Sequence, residues 1–168
     1  MEATGISLLA DTMKTIYKLN KMVQNNKKQC SKIGTRLEAL ENLVLSIQKE
    51  VSNQLPADTN EALQKLKETL TSADELIEEY DEAHKLKKIF KSCDYESKFK
   101  DLDKSLMEDF MTLSATLLAY LKKMQREQEK MQREQEKMQR EQEKMQREQE
   151  KMQTELEKMQ KKSDCIIL

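Results

Sequence analysis

The heptad MQREQEK is written four times without a change from Met124 to Lys151, and the imperfect copy MQTELEK follows it. No Gly or Pro interrupts the chain from about Asp94 to Lys162. Seven residues are close to two turns of an α-helix, so the repeat places every Met on the same helix face. The repeat therefore predicts one long helix, and the segment from Met124 to Cys165 would span roughly 60 Å at about 1.5 Å per residue.

The repeat is compatible with a single helix and with a weak coiled coil. Pairs such as Glu129 with Arg133 have the favourable i,i+4 spacing, which is worth about 0.2–0.5 kcal/mol for each pair. With Met at heptad position d, Gln occupies position a, and the same register connects Leu117 and Leu121 upstream with Leu156 downstream. Because half of this seam is polar, weak or conditional pairing is favoured over a permanent dimer.

The remainder of the chain predicts the all-α class, since the protein has two Gly, one Pro and 36% charged residues. Apolar residues recur at steps of three and four in helices over about 4–25, 28–53, 60–82 and 94–162. The predicted inward residues are Ile6, Leu9, Met13, Ile16 and Val23; Cys30, Ile33, Leu37, Leu40, Val44, Ile47 and Val51; Leu63, Leu66, Leu70, Ala73, Ile77 and Tyr80; and Phe99, Leu102, Leu106, Phe110, Leu113, Leu117 and Leu121. The expected fold is an up-down four-helix bundle whose last helix extends into the repeat.

Short connections join the predicted helices. Asn25-Asn26 favours a turn, and Pro56 ends the second helix, after which Asp58 or Thr59 could cap the third. The run KLKKIFK (85–91) predicts a short basic helix. The expected domains are a bundle over residues 1–122, a repeat helix over 123–162 and a tail over 163–168.

The tail ends in Cys165-Ile166-Ile167-Leu168, which matches the C-a-a-X box read by prenyltransferases. A terminal Leu favours geranylgeranyl. If the box is used, the last three residues are removed and the new carboxyl group is methylated, while the accidental apolar tail is the alternative. Three basic residues precede this Cys and could contact anionic lipid, namely Lys158, Lys161 and Lys162.

Charge is distributed unevenly although the net charge is −1. Residues 1–28 carry +3, residues 56–84 carry −7 and residues 85–104 carry +3. This pattern lacks the overall basic face of a nucleic-acid-binding protein, but its basic segments could contact anionic lipid. Three Cys without metal-ligand spacing, and no apolar run long enough for a signal peptide, indicate reduced thiols in the cytosol, with Cys30 as a small core residue.

Catalysis is not predicted. His84 is the only His, with Glu and Lys residues nearby, and fits a surface or bundle-edge role. No Gly-rich phosphate loop is present, and the acidic residues between 75 and 82 fall on the outer side of a predicted helix. We expect no catalytic residue, metal site or small-molecule substrate, and no cofactor beyond a covalent geranylgeranyl group.

Three stretches resemble a known family. The run NKKQCSKIGTRL (26–37) is similar to the junction of the first two helices in the N-terminal four-helix bundle of the mixed-lineage kinase domain-like pseudokinase. The runs ALQKLKETLTSADELIEEY (62–80) and LKKIFKSCDYESKFKDLDKSLMEDFMTLSATL (86–117) resemble the third helix, connector and fourth helix of the wider HeLo-like group. The resemblance covers about residues 5–122.

This resemblance implies a membrane-targeting module that binds anionic phospholipids, self-associates and permeabilises the plasma membrane in necroptosis. By position, lipid contact would fall to Lys14, Lys18, Lys21, Lys27, Lys28 and Lys32. The alternative for these lysines is a solvated face. The chain departs from the pseudokinase in that it has no kinase-like domain, and the repeat helix and lipid box stand in place of the family's regulatory region.

Two functions are therefore considered. One is a prenyl-anchored effector or regulator of membrane permeabilisation that binds anionic phospholipid and self-associates. The other is a passive tether that presents a helical module to protein partners. Both place the chain in the cytosol before a prenyltransferase modifies it, and afterwards on the cytoplasmic face of a membrane, with the plasma membrane as the expected one.

Overall fold

The computed structural model describes residues 5–51, 54–85 and 92–167, with the exception of the side chains of 27–29, 92–94 and 167. Four helices, α1 (Gly5–Asn25), α2 (Lys27–Glu50), α3 (Ala57–Lys85) and α4 (Ser92–Ile167), account for nearly all of the described residues, and no strand occurs among them. The predicted all-α four-helix fold with a long last helix is confirmed. The predicted basic helix over 85–91 lies, from residue 86 onward, outside the described residues.

The predicted turn at Asn26 is confirmed. The Asn26 amide donates a hydrogen bond to the Val23 carbonyl at 3.0 Å, and its side-chain Nδ2 donates to Asp81 Oδ1 at 2.7 Å. The turn reverses the chain, and α1 and α2 approach closely where Gly34 faces Val23. A Cβ at Gly34 would lie 3.0 Å from Val23 Cγ1, so the absent side chain permits this approach.

The start of α3 differs from the prediction. The third helix begins at Ala57 directly after Pro56, and the Asn60 amide donates to the Pro56 carbonyl at 3.0 Å. Asp58 and Thr59 therefore lie inside the first turn, and the prediction that one of them is the N-cap is wrong. Asp58 still lies near the positive end of the helix dipole.

Two ion pairs give the relative direction of α1 and α3, which pack together. Lys18 Nζ lies 2.8 Å from Asp74 Oδ2, and Lys67 Nζ lies 3.7 Å from Asp11 Oδ2. Residue numbers rise together along the two helices, so α1 and α3 run parallel. Because α2 returns antiparallel to α1, the first three helices run up, down and up.

Helix α4 completes the bundle through contacts with both α2 and α3. Arg36 Nε on α2 lies 2.9 Å from Asp103 Oδ1 on α4. On the other side, Tyr80 of α3 makes edge-to-face contacts with Tyr95 and Phe99, with ring centroids 5.4 and 5.5 Å apart. Aromatic pairs in this geometry add to the stabilisation that burial alone provides.

One apolar cluster with members from all four helices forms the core. Its fully buried members include Ile16, Leu19, Ile33, Leu37, Leu40, Ile47, Leu63, Leu66, Leu70, Ile77, Leu106 and Leu113. The predicted inward position of Ile6 is wrong, because Leu8 and Leu9 take the inward positions at the start of α1 and Ile6 is 61% exposed. Leu121, also predicted inward, is 37% exposed.

A buried carboxylate interrupts the apolar face of α4. Asp109 is only 3% exposed, and its Oδ2 has no hydrogen-bond partner among the residues that the structure describes. Phe110, predicted inward, is only partly buried. Between Leu106 and Leu113 the helix can turn either residue 109 or residue 110 toward the core, and in this bundle it turns Asp109 inward.

We expect Asp109→Ala to stabilise the bundle by about 1–3 kcal/mol, because a buried polar atom without a partner is removed. The matched control is Asp101→Ala, since Asp101 is exposed on the same helix and its loss gains only helix propensity, at most about 0.7 kcal/mol. Chemical unfolding followed by circular dichroism measures both. An Asp109→Ala bundle no more stable than the control would contradict this account.

The chain divides into two compact units, residues 1–120 and 121–168. In the second unit every described side chain from Leu121 to Ile166 is exposed. Glu143 and Arg147 form an i,i+4 ion pair at 3.6 Å, which is the pairing predicted from the heptad. Within the described ranges, no helix has an apolar stretch sufficient to cross a bilayer.

Candidate functional site

Three of the predicted lipid-contact lysines lie on one side of α1. Lys14, Lys18 and Lys21 are all exposed at steps of four and three residues, and this spacing places them on neighbouring turns of one face. The side chains of Lys27 and Lys28 lie outside the described part of the chain. The structure therefore brings together half of the predicted set.

Lys18 is held by the acidic face of α3. Its Nζ lies 2.8 Å from Asp74 Oδ2 and 3.7 Å from Glu78 Oε1. The hydrogen bond and charge of Asp74, with a smaller effect from Glu78, raise the pKa of Lys18. Lys14 and Lys21 take part in none of the ion pairs found among the described residues, so their charges remain available to an external anion.

Lys32 lies on a different surface. It precedes Arg36 by one turn on α2, and Arg36 faces α4 through Asp103. The edge of α2 nearest α1 instead carries Gly34 and Glu41. The structure thus does not bring Lys32 together with the α1 lysines.

A shallow groove runs between α1 and α2 beside Lys21. It is lined by Tyr17, Asn20, Lys21, Val23, Gln24, Gly34, Glu38 and Glu41. Asn20 Nδ2 donates to Glu41 Oε2 at 3.4 Å, and Tyr17 is half exposed. Because two carboxylates stand opposite one ammonium group, the groove itself is not an anion site, and the exposed outer side of α1 is the better candidate.

The acidic cluster of α3 has a structural role. Beyond Asp74, Glu79 Oε1 accepts a hydrogen bond from the Tyr95 hydroxyl at 3.3 Å and pairs with Lys98 at 3.7 Å. Asp81 accepts the hydrogen bond from Asn26. These carboxylates join α3 to its neighbours.

The cysteines differ sharply in environment. Cys30 is fully buried, as predicted, and burial, with a smaller contribution from the charge of Asp81, raises the pKa of its thiol to about 11. Since the thiolate is the nucleophile, Cys30 is inert near neutral pH. Cys165 is exposed, and the side chain of Cys93 lies outside the described residues. Of the two described thiols, only Cys165 is accessible to a modifying enzyme.

The end of α4 presents the predicted lipid box to solvent. Ile166 is 84% exposed, and Lys158, Lys161 and Lys162 are exposed within the preceding two turns. Leu168 and the side chain of Ile167 lie outside the described residues. An exposed Cys followed by aliphatic residues has the chemistry of a prenyl acceptor, so the prediction for Cys165 stands as a proposal.

Metal-ligating side chains are not clustered in the described part of the chain. No group of three His, Cys, Asp or Glu there is placed to hold a metal ion. His84 is exposed near the end of α3 and stacks against Tyr80 with ring centroids 6.1 Å apart. Its position at the edge of the bundle agrees with the predicted role.

Sequence reasoning missed two polar features of the bundle. The Arg36–Asp103 ion pair joins residues 67 positions apart, and nothing local in the sequence signals such a pairing. The sequence gives only a weak indication that Asp109 faces the core. It lies three residues after Leu106 and four before Leu113, a spacing that permits an inward position.

Comparison with protein families gave a match over most of the chain. The model described as Mixed lineage kinase domain-like N-terminal domain matches residues 7–151, from the first turns of α1 to the end of the fourth complete heptad. Comparisons with curated proteins and with solved structures gave no match.

Proposed function

Since the chain belongs to the family of mixed lineage kinase domain-like N-terminal domains, we propose that it is a prenyl-anchored effector or regulator of membrane permeabilisation. In this proposal the bundle binds anionic phospholipid, the chain self-associates, and Cys165 carries a geranylgeranyl group on the cytoplasmic face of the plasma membrane. The match over residues 7–151 carries the proposal, because the family links this bundle to necroptosis. The matched domain is the non-catalytic part of a pseudokinase family, which agrees with a function other than catalysis.

The lipid-binding part of the proposal is supported by charge and exposure. Lys14 and Lys21 are exposed without ion-pair partners among the described residues. Each basic residue close to an anionic membrane surface contributes about 1 kcal/mol. Lys18 would have to leave Asp74 before it could contribute the same free energy of membrane binding. We therefore assign the main lipid contact to Lys14 and Lys21.

The anchoring part rests on the requirement for two signals. A single lipid chain gives marginal and reversible membrane binding unless a second chain or a basic patch accompanies it. In this protein the second signal would come from the α1 lysines, from Lys158, Lys161 and Lys162, or from the lipid of another copy. In a membrane-bound state the lipid on Cys165 would thus supply one signal, and the lysines or the lipid of a second copy would supply the other.

Dye leakage tests the permeabilisation part directly. We expect the prenylated protein to release dye from vesicles that contain phosphatidylserine and to leave phosphatidylcholine vesicles intact. Cosedimentation of the same vesicles measures binding separately. A protein that binds anionic vesicles and releases no dye would contradict the effector and would instead support the passive tether.

We expect the Lys14→Glu/Lys21→Glu variant to bind anionic vesicles at least about 30-fold more weakly, because two contacts of about 1 kcal/mol each are lost and the anionic surface repels the introduced carboxylates. The measurement is cosedimentation of unprenylated protein with phosphatidylserine vesicles at fixed salt. The matched control is Lys49→Glu/Lys104→Glu, which changes the net charge equally at exposed positions on α2 and α4. Equal loss in both variants would show that net charge decides binding and that the α1 face has no special role.

A further inference from the structure

The second unit carries an exposed apolar stripe along its whole described length. Met131, Met138, Met145 and Met152 are 58–60% exposed, and Leu156, Met159 and Ile166 continue the stripe at 65%, 68% and 84%. Each of the four complete heptads has only one apolar residue, and the other faces carry Arg, Glu and Lys. A helix that lies in a membrane surface requires a much broader apolar face, so lipid is a poor match for this stripe, and a narrow partner surface is needed.

A second copy of the same helix matches the stripe chemically. With Met at d and Gln at a, a parallel in-register pair sets Met against Met and Gln against Gln. A Gln side chain has both donors and an acceptor, so two facing Gln can bond to each other. An antiparallel pair would set position a against position d, and each buried Gln amide would then face a thioether and lose hydrogen bonds.

The charged positions beside the seam favour the same orientation. Position g is Glu in every complete heptad, beginning at Glu127, and position e is Gln, as at Gln132. In a parallel pair, g of one helix faces e of the other, so Glu meets neutral Gln. In an antiparallel pair g faces g, and the Glu columns of the two copies would repel each other.

Two leucines can set the register among otherwise identical heptads. Leu121 and Leu156 both occupy position a, where the four complete heptads have Gln. In register, each Leu faces its own copy, whereas a shift by one heptad places each Leu against a polar residue and leaves it without an apolar partner. The alignment with no shift is therefore preferred over shifts of one to four heptads, and a shift of five heptads, which sets Leu121 against Leu156, loses most of the overlap between the two helices.

We propose that residues 121–166 pair with those of a second copy as a parallel, in-register, two-stranded coiled coil. This pairing specifies how the self-association in the proposed function takes place, and it rests on that function. Parallel pairing places both copies of Cys165 at the same end of the pair, so two lipid anchors act on one particle. Because the test uses unprenylated protein in solution, it can fail while anchoring succeeds, and the reverse.

Disulfide trapping in the full chain tests orientation and register. In a Cys93→Ser/Cys165→Ser background, we expect Gln128→Cys, at position a, to give about tenfold more linked dimer than Arg126→Cys, on the opposite face. The antiparallel alternative places residue 128 of one copy beside residue 152 of the other. To test it, a Gln128→Cys chain is mixed with a Met152→Cys chain of different size, so that a disulfide between the two chains gives a mixed dimer of intermediate size. Mixed dimers would overturn the orientation. With both chains helical by circular dichroism, dimer no more abundant than in the Arg126→Cys control would overturn the parallel, in-register pairing.

Charge changes at position e give an independent test of orientation. In a parallel pair, Gln132→Lys/Gln139→Lys/Gln146→Lys faces Glu127, Glu134 and Glu141 of the other copy, and we expect the dimer to tighten about tenfold by sedimentation equilibrium. The matching Gln→Glu triple variant should weaken it by a similar factor. In an antiparallel pair position e faces itself, so both triple variants would weaken association, and that result would contradict the proposal.

Discussion

Cys165→Ser should move the protein from the membrane fraction to the cytosol of a eukaryotic host. Each buried methylene of a lipid contributes about 0.8 kcal/mol, so a geranylgeranyl chain outweighs the contributions of about 1 kcal/mol from Lys158, Lys161 and Lys162. Cell fractionation with immunoblotting measures the distribution. Mass spectrometry of the C-terminal peptide should show the prenylated, methylated Cys165 in the unchanged protein.

Leu168→Ser is the matched control for this experiment. A terminal Ser directs farnesylation in place of geranylgeranylation, so the thioether remains and the lipid is one isoprene unit shorter. We expect this variant to stay largely on membranes. If Cys165→Ser protein also stays there, the bundle alone suffices for membrane binding, and the two-signal account is wrong.

Leu113→Ala should destabilise the bundle by about 2–5 kcal/mol. Leu113 is fully buried in the core, and truncation there removes apolar contacts and leaves a cavity that the surrounding helices fill only in part. For a small domain such a loss is a large share of the total free energy of unfolding. Urea unfolding followed by circular dichroism gives the difference between the variant and the unchanged protein.

Leu118→Ala provides the comparison on the same helix. Leu118 is 54% exposed, so the same truncation should change the free energy of unfolding by less than about 0.5 kcal/mol. Because α4 also contains the repeat, the loss of tertiary structure should be followed by the near-ultraviolet signal of the bundle tyrosines. Equal effects of the two truncations would show that the described core is not the one that stabilises the bundle.

Helix periodicity sufficed to predict most of the fold. In α2 the steps from Cys30 through Leu37 and Leu40 to Ile47 are all three or four residues, and these side chains are fully buried. Such a pattern repeats over several turns, so a single ambiguous residue cannot change it. The helix ends were less predictable, as the start of α3 at Ala57 shows.

Residues that depend on tertiary packing could not be predicted in this way. Whether Asp109 or Phe110 turns inward depends on the rotation of α4 against its neighbours, and both positions fit the local spacing. The capture of Lys18 by Asp74 depends on the parallel approach of α1 and α3, which periodicity does not determine. The sequence therefore indicates which helix carries the exposed lysines, but not which of these lysines a carboxylate already holds.

The uniform heptads of α4 also make its length adjustable in fixed increments. Inserting or deleting one complete MQREQEK unit changes the helix by about 10.5 Å and rotates the downstream residues by only about 20°. The positions of Leu121 and Leu156 relative to the a/d seam are then retained, although their separation changes. In variants with three or five units, the distance between the first residues of the repeat and Cys165 would therefore change while the surface chemistry of the helix stays the same.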